Sequence, residues 1–217
     1  MSKKLLLLAG LADLPLVSLA QTEPTSTRFY IGVGANLLTN VPFTSAGAPR
    51  LVGPSVTGGV GLTSRLALQI SGAYHWQNES YTSGAYTYGQ GLIGNNTYSS
   101  RSKYFTIPVL LRYTFTPLTQ RLQFDGLAGV TVVHSSYHYS YSTIDPSAGA
   151  LYSYENTGGV TTGNITLGPA VRYALSSNVE LTANGLVSAI VGGSYRDFGD
   201  RLFLNVLVGA QYKFGQR

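Results

Sequence analysis

The residues of this chain that could do covalent chemistry are His134 and Ser136, which are separated by one residue. On a β-strand, residues i and i+2 face the same side, so these side chains would be neighbours. A histidine that activates a serine hydroxyl, with a carboxylate to orient it, is the minimum for acyl transfer. The nearest candidate carboxylate, Glu155, falls in a predicted loop. A histidine and a serine where a strand enters a polar loop form a catalytic pair only rarely, so we assign no catalytic residue.

A second group consists of five charged residues that each lie close to a short turn or to the last strand: Arg112, Asp125, Arg172, Glu180 and Lys213. Their positions predict one layer at one end of the fold. Three cations and two carboxylates packed together should pair, because an unpaired buried charge is costly. We therefore expect a salt-bridged lumen charge layer. A narrow ion or proton path gated by the same residues is the alternative.

The elements that position these groups follow an export signal. A basic start, an apolar run over 5–19 and small residues before Gln21 predict a cleavable signal peptide over 1–20. A short periplasmic segment over 21–27 and a barrel domain over 28–217 would follow. The chain has no cysteine and three histidines, which predicts neither a disulfide nor a metal site, and no cofactor is expected.

The composition narrows the class of protein. Charged residues make up 11% of the chain, against about 25% in ordinary soluble domains. The formal net charge is +5, and the basic residues form no cluster, so we expect no nucleic-acid partner. Low charge without an apolar run of helical spanning length is typical of β-barrel membrane proteins.

Eight segments alternate apolar and polar residues with the period of a β-strand. The predicted connections alternate between short turns and long loops, the longest over 79–102 and 135–159. This asymmetry predicts an all-β fold, an eight-stranded antiparallel up-and-down transmembrane barrel in the outer membrane of a Gram-negative bacterium, with both termini in the periplasm. The predicted strands are 28–36, 51–62, 66–78, 103–115, 122–134, 160–173, 179–188 and 201–214.

The side-chain types decide which face points outward. A soluble barrel also alternates, but with its apolar set inside. Here the opposite face carries arginine, lysine and carboxylates, which would cost up to about 2–4 kcal/mol for each Arg or Lys near the membrane midplane. The polar face must therefore line the lumen. Ten aromatics on the apolar face are predicted to form two interface belts: Phe29, Tyr113, Phe115, Phe124, Tyr173, Tyr212 and Phe214 at one end, and Tyr74, Trp76 and Phe105 at the other.

Two further features concern the strand interiors and the loops. Pro54, Pro108 and Pro169 fall inside predicted strands, and because proline cannot donate to a ladder we expect a β-bulge at each. The long loops are rich in Tyr, Ser, Thr, Gly and Asn, a composition shared with antibody binding loops. The Tyr-x-Tyr-x-Tyr pattern over 137–141 also indicates that strands continue above the membrane.

The strand over 104–115, with sequence YFTIPVLLRYTF, and the end over 209–214, with sequence GAQYKF, carry a family resemblance. The chain resembles the small outer-membrane β-barrel domain often called porin family protein, of the eight-stranded OmpA/OmpX-like type. The resemblance implies insertion by the barrel-assembly machinery, which would read the final aromatic of the last strand. Lipid A deacylases, also eight-stranded barrels, use a similar His-x-Ser, but Tyr137 stands here where that family has Asn.

The sequence predicts a non-enzymatic integral outer-membrane protein with a filled lumen. Its role would be structural, or surface interaction through the loops. A narrow passive channel is the first alternative, and a lipid-modifying enzyme using His134 and Ser136 is the second. The expected partners are outer-membrane lipids, the barrel-assembly machinery and an extracellular ligand of the loops.

Overall fold

The computed structural model describes residues 28–39, 50–83, 86–88, 92–94, 96–145, 150–192 and 201–215. The predicted signal peptide over 1–20 and the segment over 21–27 lie outside these residues. No helix in the described part of the chain is long and apolar enough to cross a membrane.

The strands are β1 (Phe29–Thr39), β2 (Arg50–Gly61), β3 (Leu66–Thr82), β4 (Tyr86–Tyr88), β5 (Leu92–Gly94), β6 (Asn96–Thr114), β7 (Leu122–Asp145), β8 (Ala150–Ala174), β9 (Val179–Ile190) and β10 (Leu202–Phe214). Eight of them are antiparallel and close into a barrel, in the order β1-β10-β9-β8-β7-β6-β3-β2. The predicted fold class is confirmed. The two short strands β4 and β5, which lie between β3 and β6 in the sequence, pair with each other.

The eight barrel strands differ up to about twofold in length. β1, β2, β9 and β10 have 11–13 residues, whereas β3, β6, β7 and β8 have 17–25. The long strands are neighbours, so one side of the barrel continues as a four-stranded sheet, here called the wall (residues 77–82, 96–104, 135–145 and 150–160). The prediction of loops over 79–102 and 135–159 was therefore wrong over most of their length. Over 77–82, 96–104, 135–143 and 152–159 every residue of the wall is polar, aromatic or glycine, so it lacks the alternation that marks a strand with one apolar face.

The three strand prolines form no bulge, and that prediction was wrong. Every ladder that continues past Pro54, Pro108 or Pro169 keeps the same register on both sides of the proline. Each proline instead pairs with one neighbour and interrupts the ladder to the other. Pairing of β2 with β3 ends beside Pro54, pairing of β3 with β6 skips the residues opposite Pro108, and pairing of β8 with β9 skips Pro169. The missing N–H is thus accommodated without an inserted residue.

The glycine that precedes two of these prolines explains how the strands stay close. A Cβ on Gly53 would lie 1.9 Å from the Tyr74 carbonyl oxygen, and one on Gly168 would lie 1.9 Å from the Gly185 carbonyl oxygen. Only glycine permits this approach of a neighbouring backbone. The two Gly-Pro pairs lie four strands apart around the barrel, on β2 and β8.

The strand faces separate polar from apolar side chains. Polar groups such as Gln69, Thr106 and Asn164 are buried in the lumen, whereas the outer surface exposes an aliphatic band. A continuous exposed apolar band is found on proteins that face lipid or a partner. Members of this band include Ile31, Val33, Val52, Val56, Ile70, Val130, Val132, Ile165, Leu167, Leu181 and Val208.

Candidate functional site

The five residues of the predicted charge layer lie together inside the barrel, at the end that carries the short turns and is here called the short-turn end. Arg172 is its centre. Its guanidinium donates to both carboxylate oxygens of Asp125, with Nε–Oδ2 and Nη2–Oδ1 distances of 2.6 and 2.9 Å. Its Nη1 lies 3.3 Å from Glu180 Oε2, and Nη2 also donates to Thr114 Oγ1 at 2.9 Å. Arg172 on β8 therefore joins two buried carboxylates that come from β7 and β9, the strands on either side of it.

Glu180 has three partners in this layer. Besides Arg172, it accepts from Gln211 Nε2 at 2.7 Å and from the Lys213 ammonium group. The Glu180 side chain is 1% exposed, whereas Lys213 is half-buried at the edge of the layer. Glu180 thus has the hydrogen bonds and cations that a buried carboxylate requires.

Arg112 is bonded far less completely. Its Nη2 donates to Gln69 Oε1, and its Nε lies 3.8 Å from Asp125 Oδ2, beyond hydrogen-bond distance. The guanidinium also lies over the Tyr30 ring, 5.4 Å from the centroid. Tyr30 itself occupies space left by Gly59, where a Cβ would lie 2.1 Å from the tyrosine Cζ.

Tyr30 and Thr114 also belong to the charge layer, although neither was among the predicted residues. Tyr30 shares the inward parity of Asn36 on β1, which is the signal that could have found it. Thr114 shares parity with Arg112 at the end of β6.

An apolar cluster, here called the leucine layer, lies in the lumen next to the charge layer. Leu110, Leu127, Ala170 and Leu186 are each at most 3% exposed and form one cluster. These residues point inward among polar neighbours, so they are not part of the exposed aliphatic band. No side chain in this cluster can coordinate an ion or relay a proton.

A polar layer lies on the far side of the leucine layer. Thr166 shares hydrogen bonds with Thr131 and Ser188, both at 2.7 Å between hydroxyl oxygens. Nearer β1, His75 Nε2 lies 2.9 Å from Asn36 Oδ1, and Asn36 Nδ2 donates to Asn205 Oδ1 at 2.6 Å. Side chains from β1, β3 and β10 are thereby tied together across the lumen.

All ten predicted interface aromatics lie on the outer surface and are exposed. Phe29 and Phe214 are direct partners across the β1–β10 ladder. Two pairs at the short-turn end make edge contacts, with centroid distances of 5.3 Å for Tyr113–Phe115 and 4.8 Å for Tyr212–Phe214. At the other end, Tyr74 stacks on Trp76 at 5.7 Å and pairs with Phe105 on β6. Phe124 and Tyr173 lie on β7 and β8, close to the short turns.

His134 and Ser136 both point outward from β7 and are not joined to a carboxylate. His134 Nδ1 lies 2.8 Å from Thr161 Oγ1 on β8. Glu155 lies six residues before Thr161 on β8 and pairs with Ser140, which places it about 20 Å from Thr161 at the rise of a β-strand. Among the described residues, no group of three or more His, Cys, Asp or Glu side chains could hold a metal ion.

Tyrosines concentrate on one face of the wall. Tyr81, Tyr98, Tyr141 and Tyr154 are direct partners from strand to strand, and we call them the tyrosine row. The row lies on the face that continues the lumen surface. Tyr139 links two members through edge contacts, with centroid distances of 4.9 Å to Tyr98 and 6.2 Å to Tyr154. Four strands therefore present contiguous aromatic surface with hydroxyl tips.

Comparisons with known proteins show which solved structures share this fold. No family model matches the chain, and no curated protein matches it. Among solved structures, Ail, the attachment invasion locus protein of Yersinia pestis, in complex with the heparin analogue sucrose octasulfate, has a TM-score of 0.53 at 11% identity, over 88% of this chain and 100% of that chain.

Two further solved structures cover similar shares. The outer membrane protein OprG of Pseudomonas aeruginosa has a TM-score of 0.48 at 12% identity, over 88% of this chain and 98% of its own. A major outer membrane protein of Thermus thermophilus has a TM-score of 0.46 at 14% identity, over 88% and 100%. At these identities the likeness concerns the fold. The chain therefore has the fold of the small eight-stranded outer-membrane β-barrels.

Proposed function

We propose that this protein is a non-enzymatic outer-membrane barrel that binds a partner at the cell surface through the tyrosine row. The observation that carries this proposal is the wall, which raises four tyrosines in register beyond the ends of the short strands. Tyrosine offers large, rigid contact area with a polar tip at a low entropic cost. A hydrogen-bonded sheet holds these rings more firmly than a loop would.

The exposed aliphatic band and the aromatics at its two ends support placement in a membrane. Side chains such as Val33, Val130 and Ile165 are more than half exposed, which would be costly in water. The short-turn end would face the periplasm, since small outer-membrane barrels have short periplasmic turns and longer extracellular connections.

Replacing Val130 with arginine tests the membrane placement. Val130 points outward from the middle of the band on β7, so the charge would enter lipid. We expect a loss of about 2–4 kcal/mol in the free energy of folding into phospholipid vesicles, measured by urea titration. Ser140→Arg is the matched control, because it lies on the same face of the same strand but within the wall. Equal effects of the two substitutions would contradict the membrane placement.

The leucine layer does not favour the channel alternative. A hydrated path would have to pass Leu110, Leu127 and Leu186, which are buried against one another. The charge layer beside it is also closed by the bonds of Arg172 and Glu180. The enzyme alternative lacks a carboxylate on His134, whose Nδ1 contacts a threonine instead.

The surface-binding role is tested on intact cells that display the protein. Cells are applied to arrays of immobilised glycans and extracellular matrix proteins, with heparin included because Ail has been crystallised with a heparin analogue. We expect specific retention on at least one surface, and at least a tenfold loss for the variant Tyr81→Ser/Tyr141→Ser/Tyr154→Ser.

The matched control carries Ser99→Ala, Ser140→Ala and Ser153→Ala, which lie on the opposite face of the same wall. Heat-modifiable gel mobility shows that each variant is folded. Retention no greater than that of cells without the protein, or equal retention of the two triple variants, would contradict the proposal.

A further inference from the structure

A cavity of about 640 Å³ opens at the short-turn end of the barrel, beneath the charge layer. Small-molecule sites commonly measure about 300–1,000 Å³. Six cationic residues of the described ranges line this cavity, together with one carboxylate, that of Glu180. The cations are Arg28, Arg65, Arg112, Arg121, Arg172 and Lys213.

The carboxylates near this cavity are already paired. Asp125 is held by both nitrogens of the Arg172 fork, and Glu180 is held by Arg172 and Lys213. In the described part of the chain, no carboxylate lies within ion-pair distance of the side chains of Arg28, Arg65 or Arg121. The cavity therefore carries an excess of positive charge. Cations that line a concave surface of low dielectric raise the local concentration of anions.

Arg112 provides a second, independent observation. The residue is 2% exposed, yet its Nε and Nη1 have no hydrogen-bond partner. Its Nη2 bonds only to the neutral Gln69, and the nearest carboxylate oxygen is 3.8 Å from Nε. A buried guanidinium with unmet donors is costly, and an ion or water that supplies acceptors is the usual explanation.

We propose that this cavity is a binding site for a small oxyanion, a phosphate or a carboxylate compound, with Arg112 as its principal donor. A planar guanidinium matches the paired oxygens of either group. Arg65 and Arg121, which lie in two short turns at the mouth, attract the anion and neutralise its remaining charge. Arg172 and Lys213 form ion pairs with Glu180, so this carboxylate does not attract other cations into the cavity.

The site is tested by thermal unfolding of the purified full-length protein, refolded in detergent micelles. Phosphate, succinate and chloride are titrated separately at one ionic strength. Ligand that binds only the folded barrel raises the unfolding temperature as its concentration passes the dissociation constant. We expect a saturable rise with phosphate, with succinate or with both, and none with chloride. Phosphate alone would identify a phosphoryl ligand, and succinate alone a carboxylate ligand.

Two variants locate the effect. Arg112→Gln should weaken the apparent affinity at least tenfold. Because this substitution is buried, the double variant Arg65→Gln/Arg121→Gln at the solvent-facing mouth serves as a second probe, and we expect it to weaken affinity at least threefold. Arg101→Gln, on the wall at the opposite end, is the control and should leave the titration unchanged. A rise equal for all three anions, no rise with any anion, or an undiminished rise in both cavity variants would overturn the proposal.

Discussion

Replacing Arg172 with methionine is expected to lower the free energy of unfolding by about 3–5 kcal/mol. Methionine keeps an unbranched apolar stem but removes every bond to Asp125, Glu180 and Thr114. Two carboxylates would then be left in the lumen, with Asp125 lacking its main partner. The measurement is urea unfolding in phospholipid vesicles, followed by the fluorescence of Trp76, the single tryptophan of the chain.

Arg101→Met is the matched control for this effect. Arg101 is exposed on the wall, where its Nε donates to Asn78 Oδ1 at 3.2 Å. An exposed contact of this kind is worth at most about 1 kcal/mol. Adding Asp125→Asn and Glu180→Gln to Arg172→Met should recover part of the loss, because neither buried carboxylate is then left without its arginine. A loss for Arg172→Met no larger than that of the control would show that the charge layer does not stabilise the barrel.

Replacing Leu110 with alanine is expected to cost about 2–5 kcal/mol, by the same measurement. Leu110 is fully buried in the leucine layer, so the substitution leaves a cavity that lipid cannot enter. Leu111→Ala is the control, since the adjacent residue points outward and lipid can fill the space it leaves. Steady single-channel openings of the unmodified protein in a planar bilayer would contradict a closed leucine layer.

The barrel portion of the fold was predictable because its strands have one polar face toward the lumen and one apolar face on the outside, which makes polar and apolar residues alternate. Along β10, Val206 and Val208 face outward while Asn205 and Gln211 face the lumen, so the period of two is written into the sequence. The wall has no such contrast. Tyr98, Ser99 and Ser100 on β6 are all half-buried, and without an apolar face a strand resembles a polar loop. In the wall, the strand conformation depends on pairing with the adjacent long strands and not on the local sequence pattern.

The charge layer could be anticipated, but its internal order could not. Proximity to the short turns predicted that Arg112 and Arg172 would share one layer. Nothing in their local sequences shows that Arg172 receives two carboxylates while Arg112 receives a glutamine. That difference depends on register across β6, β7 and β8. The leucine layer could not be predicted either. Its leucines point inward, which is contrary to the rule that the lumen is polar and the exterior apolar.

The ladder interruptions around β3 have a consequence for the mechanics of the barrel. β3 loses its pairing to β2 beyond Ala73 and its pairing to β6 at Ser71 and Gly72. The free energy of local opening differs between segments of one protein. We expect the barrel to open first where adjacent strands share the fewest hydrogen bonds. The bond from His75 on β3 to Asn36 on β1 spans this weak seam from inside. The strand pairing is thus weaker around β3 than elsewhere in the barrel, and the buried His75 connects β3 to β1 across this weak region.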